Sequence, residues 1–202
     1  MSNDIFRSIL ESEFRWPRAG DQPFAQSERW QDNAYLDRNG HGRLVMMMTG
    51  YKEGADLMVK RTLDDSRKRD SLVFPIVFNY RQFIELSLKY LIATYGHTVG
   101  IQANWKDHEL AILWQEFIKV LRGYGHRDFN EGDQAAAQVV AEFAKVDPQS
   151  FSYRYPVDKK GRPIPLRHDE LNLAQLAAVM TALDNYFSGC DGYLDHLQGA
   201  GP

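Results

Sequence analysis

The sequence predicts an all-α fold: a helical bundle of about five main helices with a short extended or hairpin insertion near residues 150–162. Apolar residues recur every three or four positions over long stretches, which is the spacing of a buried helix face. Glycine and proline residues separate these stretches. Only residues 150–155 alternate in the manner of an extended strand.

Two long helices are expected in the first half of the chain. Residues 43–65 keep helical spacing and predict one helix, either straight or kinked at its two internal glycines. A second helix is expected to begin near Pro75, because proline is favoured in a first turn, and to end before Gly96. Its apolar positions cover more than half of its circumference, which predicts a central place in the bundle.

Three further helices are expected in the second half. Asp107 is a good N-cap residue and predicts a helix that ends at Gly123. Residues 135–146 predict a fourth helix, which ends where a proline disfavours helix at the residue before it. The last helix is expected to begin at Asn172 and to be interrupted at Gly189.

The segment between the fourth and fifth helices lacks helical periodicity. Asp158-Lys159-Lys160-Gly161 is a turn sequence and predicts a small hairpin that follows the alternating residues 150–155. Pro163 and Pro165 then exclude regular helix until the last helix begins.

Length and composition indicate one globular domain. The chain has 202 residues, 44% hydrophobic and 25% charged, as in an ordinary folded protein. We expect an aromatic-rich N-terminal arm over residues 1–40 and a helical domain over residues 41–198. The arm is expected either to cover the core or to be exchanged between protomers.

Net charge and cysteine content narrow the classes of partner and compartment. The net charge of −3 gives no overall attraction to nucleic acid, so any RNA contact needs a local basic patch. Cys190 is the single cysteine and forms no internal disulfide, which favours a reducing compartment. With no leader pattern and no apolar stretch of membrane-spanning length, we expect a cytoplasmic protein without membrane contact.

Sequence motifs exclude several enzyme classes. The chain contains no phosphate-binding Walker loop, no dinucleotide fingerprint, no nucleophile elbow and no zinc-ligand spacing. We therefore expect neither a cofactor nor a metal.

Arg81, Glu85 and Lys89 form a charged ladder on the second helix. Their spacing of four residues places them on one edge of that helix, beside its apolar face. Charges that border a core are costly unless they are paired. We therefore expect either pairing among themselves and with a neighbouring helix, or a polar ligand held by all three.

Three other residues are candidates for ligand binding. His108 follows the predicted N-cap, and the free N–H groups of a helix start favour anions, although a histidine there also caps or packs. Arg154 and Tyr155 belong to an aromatic and basic segment that can stack bases and pair with phosphate, or can plug an apolar surface. Further basic residues follow this segment and make it the expected place of an RNA patch: Lys159, Lys160, Arg162, Arg167 and His168.

Three segments resemble the HEPN superfamily, specifically its bacterial members of uncharacterised activity. The segments are FNYRQFIELSLKYLI at 78–92, DHELAILW at 107–114 and SFSYRYPVDKKG at 150–161, within a resemblance over about 72–190. The resemblance implies a dimerising helical bundle of a bacterial defence or toxin–antitoxin system. It also implies metal-independent endoribonuclease activity and a partner protein encoded in the same operon.

The catalytic signature of that superfamily is an arginine and a histidine separated by four to six residues. Arg162 and His168 match it, with five residues between them. By this resemblance the arginine steadies the scissile phosphate while the histidine transfers a proton to or from the ribose.

Two other functions stay open at this point. The first is a non-catalytic helical interaction subunit of a multi-protein defence complex. The two prolines between Arg162 and His168 favour this function, because they exclude the helix on which the superfamily carries its arginine and histidine. The second is a small-molecule hydrolase, supported by the acid-rich helix start around His108.

Overall fold

The computed structural model describes residues 16–148 and 150–200, which fall into two units divided between Leu36 and Asp37. The described part of the first unit contains a short 3-10 helix, Trp30–Asp32. The large aromatic side chains of this part are exposed, namely Trp16, Phe24, Trp30 and Tyr35. Phe6 and Phe14 of the expected arm lie outside the described residues.

The second unit is helical, and its fold class confirms the prediction. Over the described residues it contains five α-helices and no strand. The helices are α1 (Gly40–Asp64), α2 (Arg69–Tyr95), α3 (Leu110–Gly123), α4 (Glu131–Val146) and α5 (Leu173–Ala200). None of the helices in the described part of the chain is long and apolar enough to cross a membrane.

Helix α2 is the centre of the bundle, as its broad apolar face predicts. It packs along α1 and also contacts α3 and α5, while α4 packs between α3 and α5. Its side chains Tyr80, Ile84 and Leu88 are fully buried with Phe117 of α3 and Met180 of α5. The charged ladder therefore lies on the element with the least access to water.

The start of α2 differs from the prediction. The helix begins at Arg69, so Pro75 lies inside it and not in its first turn. The carboxylate of Asp65 accepts a hydrogen bond from the Arg67 backbone N–H and starts a 3-10 turn that leads directly into α2. The residues between α1 and α2 are consequently a tight, largely exposed turn.

The start of α3 also differs. Asp107 does not cap the helix, because its carboxylate accepts a hydrogen bond from Asn104 Nδ2 at 2.7 Å. The N-cap is Glu109, whose side chain makes no capping hydrogen bond, and α3 begins at Leu110. His108 therefore lies before the N-cap, outside the helix start that was expected to attract anions.

A capping box sets the start of α4. Asn130 accepts a hydrogen bond from the Asp133 backbone N–H, and Asp133 accepts one from the Asn130 N–H, so the helix begins at Glu131. Helix α5 runs through Gly189 without the expected interruption. Buried residues on both sides of that glycine, Phe187 and Leu194, hold the two halves in one helix.

The insertion between α4 and α5 is a turn followed by a minimal hairpin. Residues 152–154 form a turn and not the expected extended segment, because the N–H groups of Arg154 and Tyr155 both donate to the Phe151 carbonyl at 3.0 Å. The predicted turn at Asp158 is present and is closed by a single antiparallel bridge between Val157 and Pro163.

Candidate functional site

The charged ladder of α2 is buried, and its members pair with one another. The carboxylate of Glu85 accepts a hydrogen bond from Arg81 Nη1 at 3.0 Å and one from Lys89 Nζ at 2.9 Å. The Arg81 residue is 0% exposed. Burial raises the pKa of Glu85, but the hydrogen bonds from Lys89, His108 and Arg81 outweigh burial and hold that pKa below its ordinary value.

Arg81 also ties two loops to the central helix. Its Nε donates to the Asp147 carbonyl at 2.8 Å. Its Nη2 donates to the carbonyls of His108 at 2.7 Å and Pro148 at 3.4 Å. Of the two expectations for the ladder, pairing within the protein describes this geometry, because the guanidinium donors face protein oxygens.

His108 is attached to the same network by its side chain. Its Nδ1 lies 2.8 Å from Glu85 Oε1, yet the side chain is 63% exposed. Because an ionised carboxylate only accepts hydrogen bonds, Nδ1 carries the proton. The loop before α3 thus brings an exposed imidazole onto a buried carboxylate.

Of the residues expected to contact RNA, four line one cavity: Tyr155, Lys159, Lys160 and Arg162. Arg154, Arg167 and His168 are not among its lining residues. This cavity, which we call the basic–aromatic pocket, measures about 900 Å³ and lies between the end of α4 and the hairpin. It is lined by Asp147, Pro148, Phe151, Ser152, Tyr155, Val157, Asp158, Lys159, Lys160, Arg162 and Ile164.

Two aromatic rings of this pocket, Phe151 and Tyr155, contact the guanidinium of Arg154. The guanidinium carbon of Arg154 lies 5.2 Å from the ring centre of Tyr155, 5.7 Å from that of Phe151 and 5.6 Å from that of Phe78. Tyr155 is 47% exposed and Phe151 is 42% exposed, whereas Tyr153 is buried. Both rings thus keep an exposed part, while Arg154 lies over each of them and their ring centres are 5.8 Å apart.

The cationic side chains at the pocket differ in whether they already have an anionic partner. Arg162 is held by Asp158, with 2.6 Å between Nη2 and Oδ2. The side chains of Lys159 and Lys160 are exposed and make no hydrogen bond or ion pair with a described residue. The two lysines are consequently the groups at this pocket most available to an anion.

Arg162 and His168 lie on irregular backbone. Arg162 ends the hairpin turn, and His168 is exposed in the segment between the bridge and α5. No hydrogen bond joins these two side chains to each other or His168 to any other residue of the described ranges. Nothing in the described residues fixes the orientation of the His168 ring.

A second cluster lies between α3, α4 and α5. Asp133 accepts hydrogen bonds from His126 Nε2 at 2.9 Å, the Asn130 N–H at 2.8 Å and the Tyr186 hydroxyl at 2.8 Å. Burial raises the pKa of Asp133, and these three hydrogen bonds bring the pKa below its ordinary value.

This cluster lines a cavity of about 420 Å³ that also contains Cys190. Burial raises the pKa of the Cys190 thiol to about 11, which keeps it protonated and weakly nucleophilic at neutral pH. The sequence pattern does not indicate that these side chains lie together. Asn130-x-x-Asp133 was a readable capping box, but no spacing pointed to His126 or Tyr186.

Comparisons with known proteins assign this chain to no family. No protein-family model, curated protein sequence or solved structure matches this chain.

Proposed function

We propose that this protein binds single-stranded RNA at the basic–aromatic pocket. The observation that carries the proposal is the combination of two exposed rings, Phe151 and Tyr155, with the unpaired amines of Lys159 and Lys160 around one cavity. Exposed rings offer faces for unpaired bases, and lysines offer charge to the phosphates between them.

Binding of single-stranded RNA is favoured over binding of a duplex on energetic grounds. Stacking a base on an aromatic side chain contributes about 1–3 kcal/mol, and only unpaired bases expose their faces. The chain has a net charge of −3, so affinity must come from this local group of cations and rings. The pocket meets that requirement within a short stretch of sequence.

The wider proposal is a HEPN-like protein of a bacterial defence or toxin–antitoxin system, acting as a homodimer. It is supported by the sequence resemblance and is compatible with the helical bundle. The oligomeric state is tested by light scattering on the purified protein. Cleavage by Arg162 and His168 remains the activity that the resemblance implies.

One observation favours the alternative of a non-catalytic interaction subunit. The guanidinium of Arg162 is already engaged by Asp158, with a second contact from Nε at 2.8 Å. An arginine that must steady a phosphate would have to leave this partner. In the alternative, the pocket recruits RNA or a partner protein without cleaving it.

The binding proposal is tested by the affinity for a fluorescent single-stranded RNA, measured by polarisation at several salt concentrations. The double variant Lys159→Ala/Lys160→Ala is expected to weaken binding at least tenfold. It should also reduce the salt slope by about 0.7 per lost phosphate contact. Tyr155→Leu should weaken binding with an unchanged slope, because it removes stacking and no charge.

The matched control is Lys60→Ala/Lys68→Ala, which removes the same charge from exposed positions on and after α1. Its affinity should stay near that of the wild type. Equal losses in both double variants would mean that only net charge matters, and they would refute a site at the pocket. Failure of the wild type to bind RNA would refute the proposal outright.

A further inference from the structure

The exposed imidazole of His108 is held in one orientation by buried groups. Its Nδ1 is bonded to Glu85, whose other oxygen contacts the guanidinium of Arg81. That guanidinium also donates a hydrogen bond, from Nη2, to the backbone carbonyl of His108 at 2.7 Å. Arg81 thus holds His108 in two ways: directly through the backbone carbonyl, and through Glu85 at the ring.

This arrangement leaves the other ring nitrogen open. With the proton on Nδ1, the neutral ring has a lone pair on Nε2. No described residue hydrogen-bonds Nε2, and the side chain is 63% exposed. A carboxylate that orients an imidazole through one nitrogen and leaves the other free is the arrangement of a general base.

The backbone of His108 is linked to the edge of the basic–aromatic pocket by Arg81. Arg81 Nη2 contacts the carbonyls of both His108 and Pro148, and Arg81 Nε contacts the carbonyl of Asp147. Pro148 and Asp147 line the pocket. The loop that carries His108 is therefore joined to the edge of the pocket through a single guanidinium.

We propose that His108 is the general base of an RNA-cleaving reaction at this edge, with Glu85 as its positioning residue. The proposal rests on RNA binding at the pocket. In the reaction, the ribose 2′-hydroxyl gives its proton to Nε2 while its oxygen forms a bond to phosphorus. The bond from phosphorus to the 5′-oxygen breaks, and the proton passes through solvent to that oxygen. The products are a 2′,3′-cyclic phosphate and a 5′-hydroxyl.

The other candidate histidines lack this combination of features. His168 is exposed but has no group among the described residues to orient it. His126 is oriented by Asp133, but only 22% of its side chain is exposed and it lines a different cavity. Among these three histidines, His108 alone is both oriented by a buried carboxylate and open to a ligand.

The test compares cleavage and binding of one single-stranded RNA in the presence of EDTA. His108→Gln keeps a side-chain N–H for Glu85 but has no basic nitrogen, so it should bind RNA like the wild type and cleave it at least 100-fold more slowly. His97→Gln, at an exposed position outside both sites, is the matched control and should cleave normally. Added imidazole should restore part of the cleavage lost in His108→Ala.

Each outcome bears on one claim. Cleavage that survives His108→Gln, or that imidazole fails to restore in His108→Ala, overturns the assignment of His108. A wild type that binds RNA without cleaving it overturns this inference and leaves the proposed function standing. A wild type that does not bind RNA overturns the proposed function itself. Products with a 2′,3′-cyclic phosphate and loss of cleavage in His108→Gln support the inference.

Discussion

At Glu85 one buried carboxylate balances two buried cations and orients one exposed imidazole. The residues Arg81 and Lys89 lie one turn before and one turn after it, and His108 reaches it from the loop before α3. Transferring such charges from water is costly, so the network is stable only while every member is satisfied. Removing the Glu85 carboxylate therefore leaves two buried cations without a counter-charge, which destabilises the folded state.

We expect Glu85→Gln to lower the free energy of unfolding by about 3–5 kcal/mol at pH 7, because two buried cations lose their counter-charge. The pKa of Glu85 is lowered on folding from an ordinary value of 4.5, so its stabilisation is complete above that pH. It is lost as the pH falls through the lowered folded value, and the gap between wild type and variant should then narrow. Urea unfolding at several pH values measures both effects.

The control is Glu116→Gln, which breaks an exposed pair with Lys119 and should change stability by less than about 1 kcal/mol. A Glu85→Gln variant as stable as this control at pH 7 would contradict the account of the network. So would a stability gap that widens in acid.

The ladder and its pairing could be predicted from residue spacing, but its other partners could not. Backbone carbonyls of His108 and Asp147 accept from Arg81, and every residue type has such a carbonyl. Sequence therefore carries no signal for them. Likewise, the spacing of Tyr153 and Tyr155 does not tell which ring is buried, because residues 152–154 form a turn and not a strand.

At the scale of the elements, helix ends were predicted better than helix starts. Glycines placed the ends of α2 and α3 correctly, and the proline after α4 placed the end of that helix. The starts depend on which polar side chain caps the helix, and this choice is made by local geometry. Asp107 bonds to Asn104 and caps nothing, whereas Asn130 builds a capping box.

The position of Gly96, directly after α2, requires a glycine for a steric reason that can be tested. A Cβ atom at this position would lie 2.6 Å from the carbonyl oxygen of Ile101. The backbone of Ile101 is also held there, since its N–H donates to the Gly96 carbonyl at 2.8 Å. Gly96→Ala should therefore destabilise the protein by about 1–3 kcal/mol in urea unfolding.

Gly50 in the middle of α1 provides the matched substitution. A Cβ atom there meets nothing within 4 Å, so Gly50→Ala should stabilise the protein by about 0.5–1 kcal/mol through helix propensity. If both alanine variants changed stability in the same direction, the close approach of Ile101 would not be the reason that position 96 requires a glycine.

At the scale of the whole molecule, the bundle serves as a rigid support for the segment after α4. Arg81 on the central helix reaches both this segment and the loop of His108, so the two candidate binding and catalytic groups share one buried anchor. Sequence could predict an aromatic and basic segment near residues 150–162, and RNA binding there stays a prediction. It could not predict that Arg162 is paired while Lys159 and Lys160 remain free, because that depends on the hairpin geometry.

The central claim is that single-stranded RNA lies in the basic–aromatic pocket, and photo-crosslinking tests it most directly. A single-stranded RNA carrying 4-thiouridine is irradiated with the protein, and the crosslinked peptide is identified by mass spectrometry. We expect adducts on residues 151–160, centred on Phe151 and Tyr155, and their loss in Lys159→Ala/Lys160→Ala. Adducts confined to other surfaces, or unchanged in that variant, would contradict the claim.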